Sequence, residues 1–293
     1  MKRCFVFLGI LLTLLGGCSY ELVVPEDQNT EEETAEFLYT YSLMYDEKTQ
    51  QEIKQLLVNN EIPMKNIDDF FHSVNHFNSM MGEMIGSHSG FKTINLSDRS
   101  FDYAHLMDTW EEQVKYLDQN CRLTAFTLLK DLITISTNVK LPDNDDVLIF
   151  DLAGIEENPN LNFTDNEVTQ FNNLFMNIMT ENTNNQPVHV KAIQDEWTKR
   201  GIKFNLPNQI SLITVFIHED EGNYLFVGHT GVLVETEGDY LFIEKMAPNE
   251  PYIASTYSTL NDFKHYLHYS YDNYTNPGGS KPILMKNNLW LDE

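Results

Sequence analysis

Four segments after Pro207 constrain the fold of this chain more than any other feature. They are rich in β-branched and aromatic residues, which favour extended strands that pair in a sheet. A helix that begins at Ser258 or Thr259 is predicted before the last of them. The four predicted strands are the runs "ISLITVFIHE", "YLFVGHTGVLVE", "DYLFIEKMA" and "PILMKNNLWL".

The chain before Pro207 is predicted to be mostly helical. Apolar residues recur at helical spacing over residues 37–85 and 104–137, and the run "DNEVTQFNNLFMNIMT" adds another helix. Residues 138–166 are mixed in composition and contain one strand-like run, "DVLIFDL". Helices first and strands later indicate an α+β fold, in which a helical N-terminal part packs with a C-terminal antiparallel sheet.

The first residues have the layout of a secretory signal peptide. Lys2 and Arg3 precede an apolar run that is too short for a comfortable membrane span. The run ends in Leu-Gly-Gly-Cys, which resembles the bacterial lipobox and implies that Cys18 is lipidated, for example with palmitate. We therefore expect a lipoprotein anchored in the lipid bilayer on the extracytoplasmic face of the cell membrane. The alternative is an ordinary signal peptide with an incidental cysteine.

The remaining chain is divided into a tether and one domain. Residues 1–17 are the predicted signal peptide, and the acidic residues 18–36 are expected to form a flexible tether. Residues 37–293 are predicted to form a single α+β domain whose residues 37–100 are a helical extension. The net charge is −25, and it becomes −27 when residues 1–17 leave with their two basic residues. So acidic a chain disfavours nucleic acid as a partner.

Cys4 is expected to leave with the signal peptide and Cys18 to carry the lipid. Cys121 then has no other cysteine in the chain to pair with. Asn120 is a good N-cap residue, so Cys121 is predicted at the first position of a helix. The positive end of the helix dipole stabilises a thiolate at that place. The alternative is one helix through residues 108–135 that buries Cys121 as an inert apolar residue.

A thiolate nucleophile needs a general base, and His229 is the strongest candidate. It lies in an apolar strand between Gly228 and Gly231, and glycine in a strand often marks a close approach by another group. His72 and His76 have a spacing seen in metal sites, but no acidic third ligand accompanies them. No metal and no cofactor are therefore expected.

Glu244 is predicted to lie beside His229. A turn centred on Glu237 and Gly238 pairs Gly231 with Glu244, which makes Glu244 a diagonal neighbour of His229 on the same face. A carboxylate there orients the imidazole and supports its positive charge. A register slip of one residue moves Glu244 to the other face and leaves it an ordinary strand acid.

The order of a cysteine at a helix start, a histidine on a strand and a polar residue on the next strand resembles papain-like hydrolases. The run "GHTGVLVE" followed by "YLFIEK" resembles the histidine-bearing hairpin of NlpC-type cysteine peptidases. The likeness covers residues 104–136 and 208–291. Asn120-Cys121-Arg122 stands where the NlpC pattern has Asp-Cys-Ser-Gly, and the third residue is an acid instead of His, Asn or Gln. The whole chain also resembles a family of bacterial lipoproteins known as a domain of unknown function.

The sequence thus predicts a cysteine hydrolase or amidase that acts by acyl transfer. Cys121 is the expected nucleophile, His229 the base and Glu244 the orienting group. The expected substrate is a peptide, such as a peptidoglycan stem peptide beside the anchor. Two alternatives are a catalytically inactive surface-binding lipoprotein and a binding lipoprotein with Cys121 in its core. The oxyanion donors are the backbone N–H of Cys121 and one side chain among Gln119, Asn120 and Tyr116.

Overall fold

A computed structural model describes residues 37–82, 84–86, 88–99, 101–136, 146–219, 221, 223–273 and 279–293. The predicted signal peptide, the tether and Cys18 lie outside these ranges. Phe37–Glu293 form one compact unit around one hydrophobic core. None of the described helices combines the length and the apolar composition that crossing a membrane requires.

The described helices are mostly amphipathic and bury one face against the sheet or each other. Five of them begin at a side-chain cap that accepts a hydrogen bond from the backbone N–H three residues later: Asp46, Asp102, Asn120, Thr164 and Thr259. The helices are α1 Glu47–Asn59, α2 Met64–Met81, α3 Tyr103–Gln113, α4 Cys121–Leu129, α5 Ile149–Glu157, α6 Asp165–Phe175, α7 Gln186–Lys199 and α8 Leu260–Tyr271.

The strands follow the β-branched and aromatic runs of the sequence. In chain order they are β1 Leu38–Ser42, β2 Lys92–Asn95, β3 Ile133–Thr134, β4 Ile178–Met179, β5 Lys203–Phe204, β6 Ile210–Glu219, β7 Tyr224–Glu235, β8 Tyr240–Lys245, β9 Tyr252–Tyr257, β10 Ile283–Lys286 and β11 Leu289–Trp290. Nine of them form one antiparallel sheet in the order β11-β10-β6-β7-β8-β9-β1-β2, with β4 paired to β7. The α+β class is therefore confirmed.

Helix α4 is the central helix of the fold. All of its residues except Arg122 are buried, and it packs against α2, β7 and β8. Strand β8 is covered on both faces because successive residues of a strand point to opposite sides. Glu244 therefore meets α8, through Tyr266, while Lys245 meets the aromatic rings of α2 and α3.

Two of the local predictions are wrong, and one alternative is excluded. Leu38–Ser42, inside a region predicted to be helical, forms a strand of the main sheet because it pairs with both β2 and β9. The strand-like run "DVLIFDL" begins with a turn of 3₁₀ helix and continues as α5. The single helix through residues 108–135 is interrupted, because Val114 is extended and the next described helix begins at Cys121.

Candidate active site

Cys121 occupies the first position of α4, as predicted. The side chain of Asn120 accepts a hydrogen bond from the Leu123 N–H at 3.1 Å, which caps the helix. The backbone N–H groups at such a position have no intrahelical acceptor, so they and the helix dipole favour a negative charge. Cys121 is a free cysteine with only 5 % of its surface exposed.

His229 is placed by a β-bulge in β7. Val215 pairs with His229 and Phe216 pairs with Val227, so Gly228 is the extra residue between them. A bulge re-aims the neighbouring side chain, and such bulges are common next to active sites. A Cβ at Gly228 would lie 2.3 Å from Cδ1 of Ile217, so any other residue here would have to displace that side chain. The predicted close approach is therefore confirmed here.

Glu244 lies in the register that the sequence predicts. Gly231 pairs with Glu244, and the His229 Nε2 lies 2.8 Å from Glu244 Oε2. His229 and Glu244 are 1 % and 0 % exposed. A Cβ at Gly231 would lie 2.7 Å from the carbonyl oxygen of Ile243. Gly231 therefore allows the backbone of the neighbouring strand β8 to approach closely.

The thiol of Cys121 and the imidazole of His229 are close enough that each shifts the pKa of the other. Since Nε2 of His229 binds Glu244, Nδ1 is the nitrogen left for the sulfur. The ring of Tyr271 stacks on the imidazole with 5.1 Å between centroids, which fixes the plane of the ring. The three predicted residues therefore form one continuous chain, Cys121–His229–Glu244.

The electrostatics of this chain favour a thiolate and an imidazolium. Burial raises the pKa of the Cys121 thiol, but His229 and the charge of Arg122 together lower that pKa by more. Burial lowers the pKa of His229, but its bonds to Cys121 and Glu244 raise that pKa to about 9. Burial raises the pKa of Glu244, and His229 outweighs this effect, so the net pKa is lowered. Opposite charges at contact distance explain all three directions.

A buried network that the sequence did not reveal holds the other oxygen of Glu244. The hydroxyl of Tyr266 donates to Glu244 Oε1 at 2.6 Å. Arg99 interacts electrostatically with Tyr266 and Glu244, and its Nη1 donates to the Tyr39 hydroxyl at 3.0 Å. Arg99 and Tyr39 come from residues 37–100, whose role the sequence left open. This segment therefore contributes to the surroundings of the candidate site.

Arg122 connects the start of α4 to β7. Its guanidinium binds both carboxylate oxygens of Asp151, at 2.9 and 2.6 Å, and its Nη1 donates to the carbonyl of Val227 at 2.8 Å. Asp151 also accepts a hydrogen bond from Asn120 Nδ2 at 2.7 Å. No sequence pattern indicates this role of Asp151, because the run that contains it has the composition of a strand.

The side chains expected to stabilise the oxyanion have other partners. Gln119 Nε2 donates to the Ser73 hydroxyl at 2.8 Å, and Asn120 Nδ2 donates to Asp151. The Tyr116 hydroxyl lies 2.6 Å from Nε2 of His76. The backbone N–H of Cys121 is therefore the donor best placed to act.

The described residues contain no group of three or more His, Cys, Asp or Glu side chains able to share a metal ion. His72 and His76 bind Asn160 and Tyr116 instead of facing a common centre. His76 thus joins α2 to the segment before Cys121, and His72 joins α2 to the loop that follows α5.

The fold and site define an α+β protein with a buried Cys-His-Glu chain at a helix start. The chain belongs to the family described as a domain of unknown function (DUF4300), whose model matches residues 40–291. Neither the curated proteins nor the solved structures include one that matches the chain.

Proposed function

We propose that this protein is a membrane-anchored cysteine hydrolase or amidase that acts by acyl transfer. The observation that carries the proposal is the placement of Cys121 at a helix start, electrostatically coupled to His229, whose Nε2 lies 2.8 Å from Glu244 Oε2. A nucleophile, a base in contact with it and a third group that orients the base are the recurring parts of nucleophilic catalysis.

The proposed reaction has two steps. The Cys121 thiolate attacks the carbonyl carbon of an amide, and the His229 imidazolium gives a proton to the leaving amine as the C–N bond breaks. A thioester remains on Cys121. His229 then takes a proton from water, which attacks the thioester and releases the acid and the thiol. The backbone N–H of Cys121 supports the negative oxygen of both tetrahedral intermediates.

Glu244 acts on the sulfur only through the imidazole. It accepts from Nε2 and so keeps Nδ1 turned toward Cys121. The order of these residues in the chain supports a papain-like, NlpC-type arrangement, with the nucleophile on a central helix and the other two on neighbouring strands.

The substrate class follows from the proposed location. A lipidated Cys18 would hold the domain on the extracytoplasmic face of the cell membrane, beside the cell wall. A peptidoglycan stem peptide or another envelope peptide is the substrate that this location favours. The acidic chain, with 44 Asp and Glu against 19 Lys and Arg, opposes binding to nucleic acid.

One observation favours a second candidate, a catalytically inactive surface-binding lipoprotein. The thiol-bearing residue is 95 % buried, and the three side chains expected to aid the oxyanion donate or bind elsewhere. An inactive domain would keep the contact between Cys121 and His229 without turnover.

The test is incubation of wild-type protein and Cys121→Ser with purified muropeptides. We expect wild type to release new amino groups and to form a thioester on Cys121, which mass spectrometry detects after an acid quench. Cys121→Ser should do neither. Binding of muropeptides by both proteins without cleavage would establish the second candidate. Neither cleavage nor binding would remove the proposed substrate, and alkylation of Cys121 only after denaturation would remove the nucleophile.

A further inference from the structure

Arg122 directly follows Cys121 and is the one residue of α4 that is not buried among apolar neighbours. Its side chain is only 13 % exposed and makes a two-pronged ion pair with Asp151, whose side chain is fully buried. A guanidinium fork matches a carboxylate in this way, whereas a lysine ammonium would satisfy one oxygen at a time. The position therefore has a specific need for arginine.

Asp151 holds both residues that flank Cys121. Its Oδ1 accepts from Asn120 Nδ2 and from Arg122 Nε, at 2.7 and 2.9 Å. Asn120 is at the same time the N-cap of α4. The backbone on each side of the sulfur-bearing residue is thus tied to one buried carboxylate on α5.

The third bond of Arg122 reaches the strand that carries the base. Its Nη1 donates to the carbonyl of Val227, the residue before the bulged Gly228 and two before His229. One guanidinium therefore connects the backbone beside Cys121 to the backbone beside His229. The same positive charge also lowers the pKa of the Cys121 thiol.

We propose that Arg122 is a positioning residue that sets the alignment of Cys121 with His229, through Asp151 on one side and the bulge of β7 on the other. The inference rests on the proposed function. It also explains the departure from the NlpC-like pattern, because the residue after the cysteine here joins helix and strand.

The chain supplies a matched control in Arg200. Its side chain is 3 % exposed, it pairs with Glu196, and it donates to three backbone carbonyls, those of Asn173, Met176 and Asn177. Arg200 is thus a second buried arginine of the same kind. None of these partners belongs to the candidate site. Loss of its side chain should lower stability without reaching Cys121.

The experiment measures alkylation of Cys121 by iodoacetamide across pH in the full chain. Mass spectrometry of the tryptic peptide that holds Cys121 gives the rate without interference from other cysteines. In folded Arg122→Met we expect a rate at pH 7 lowered by roughly tenfold and a profile shifted by about one unit to higher pH. Arg122→Lys keeps the charge without the fork, so its rate should fall between the two. Arg200→Met should keep the wild-type profile.

Arg122→Met leaves the Asp151 carboxylate buried without its cation, and this can unfold the protein. The double variant Arg122→Met with Asp151→Leu removes both charges and serves in that case. Its expected shift has the same direction but is smaller, because the Asp151 carboxylate raises the pKa of the Cys121 thiol. A wild-type profile in either folded variant, or an equal shift in Arg200→Met, overturns the proposal. The proposed function fails separately, if wild-type Cys121 shows no lowered apparent pKa or no dependence on His229.

Discussion

Removal of the imidazole from His229 should slow the reaction of Cys121 by an amount that the structure predicts. The pKa of His229 is raised from 6.5 to about 9, which corresponds to about 3 kcal/mol of added stability for the imidazolium. This is the net gain after burial has disfavoured the charged ring, so the Cys121 thiolate and the Glu244 carboxylate together contribute at least this much. An even division leaves at least about 1.5 kcal/mol between imidazolium and thiolate. Coupling is reciprocal, so His229→Ala should raise the thiol pKa by about one unit or more.

The assay is the pH dependence of iodoacetamide reaction at Cys121, because the thiolate is the reactive form. In wild type the imidazolium is present up to about pH 9, so its effect on the thiolate covers the whole neutral range. The advantage of wild type should disappear as pH rises through this value. At pH 7, His229→Ala should react roughly tenfold more slowly.

Two further variants separate a specific partner from a general loss of stability. His229→Gln fills most of the space beside Tyr271 and should slow the reaction as His229→Ala does. His265→Ala changes an exposed histidine of α8 and should react as wild type does. Circular dichroism confirms that each variant is folded. An unchanged pH profile in folded His229→Ala and His229→Gln would refute the thiolate–imidazolium pair.

Three more perturbations test other parts of the structure. Glu244→Gln should slow alkylation of Cys121 by less than His229→Ala does, since the carboxylate acts only through the imidazole; an equal or larger effect would contradict this order. Gly231→Ala should lower the free energy of unfolding by about 1–3 kcal/mol in urea titration, because the new methyl group meets the Ile243 carbonyl and the Phe242 ring; a wild-type midpoint would show that the strands separate easily. Cys18→Ala should abolish fatty-acid labelling and membrane retention, and labelling as strong as in wild type would remove the lipobox hypothesis.

The hairpin and the helix start could be predicted because both are local. The turn between β7 and β8 fixes which residues face each other, so pairing of Gly231 with Glu244 follows from the position of Glu237 and Gly238. The cap at Asn120 likewise depends on bonds within one turn of helix. Geometry of this kind depends on residues that are close in the sequence, so the sequence pattern is enough to predict it.

The errors arise where distant partners decide the local structure. Residues 38–42 become a strand because β9 and β2 lie on either side of them, and the strand β9 itself was not foreseen. The run "DVLIFDL" has the composition of a strand, but Asp151 inside it is required by Arg122 and Asn120. No pattern within seven residues contains that information.

The missed partners of the site come from far along the chain. Tyr266 reaches Glu244 across 22 residues, and Arg99 precedes Glu244 by more than a hundred. On their own segments, Tyr266 belongs to a Tyr-rich helix and Arg99 follows a short strand. These residues acquire their role only when α8 packs against the sheet and β1 and β2 join its edge.

The position of β1 in the sheet has a consequence for how the chain reaches its native state. Thr40 of β1 pairs with Thr256 of β9, so β1 cannot form this pairing until the ribosome has made a strand 216 residues further along the chain. Closing so long a loop costs conformational entropy before the pairing repays it, and such topologies fold slowly. A chain that emerges N-terminus first leaves β1 with an open edge through most of its synthesis, and open edges invite pairing with other chains. Protection of this edge until β9 has emerged is therefore a requirement of the topology itself.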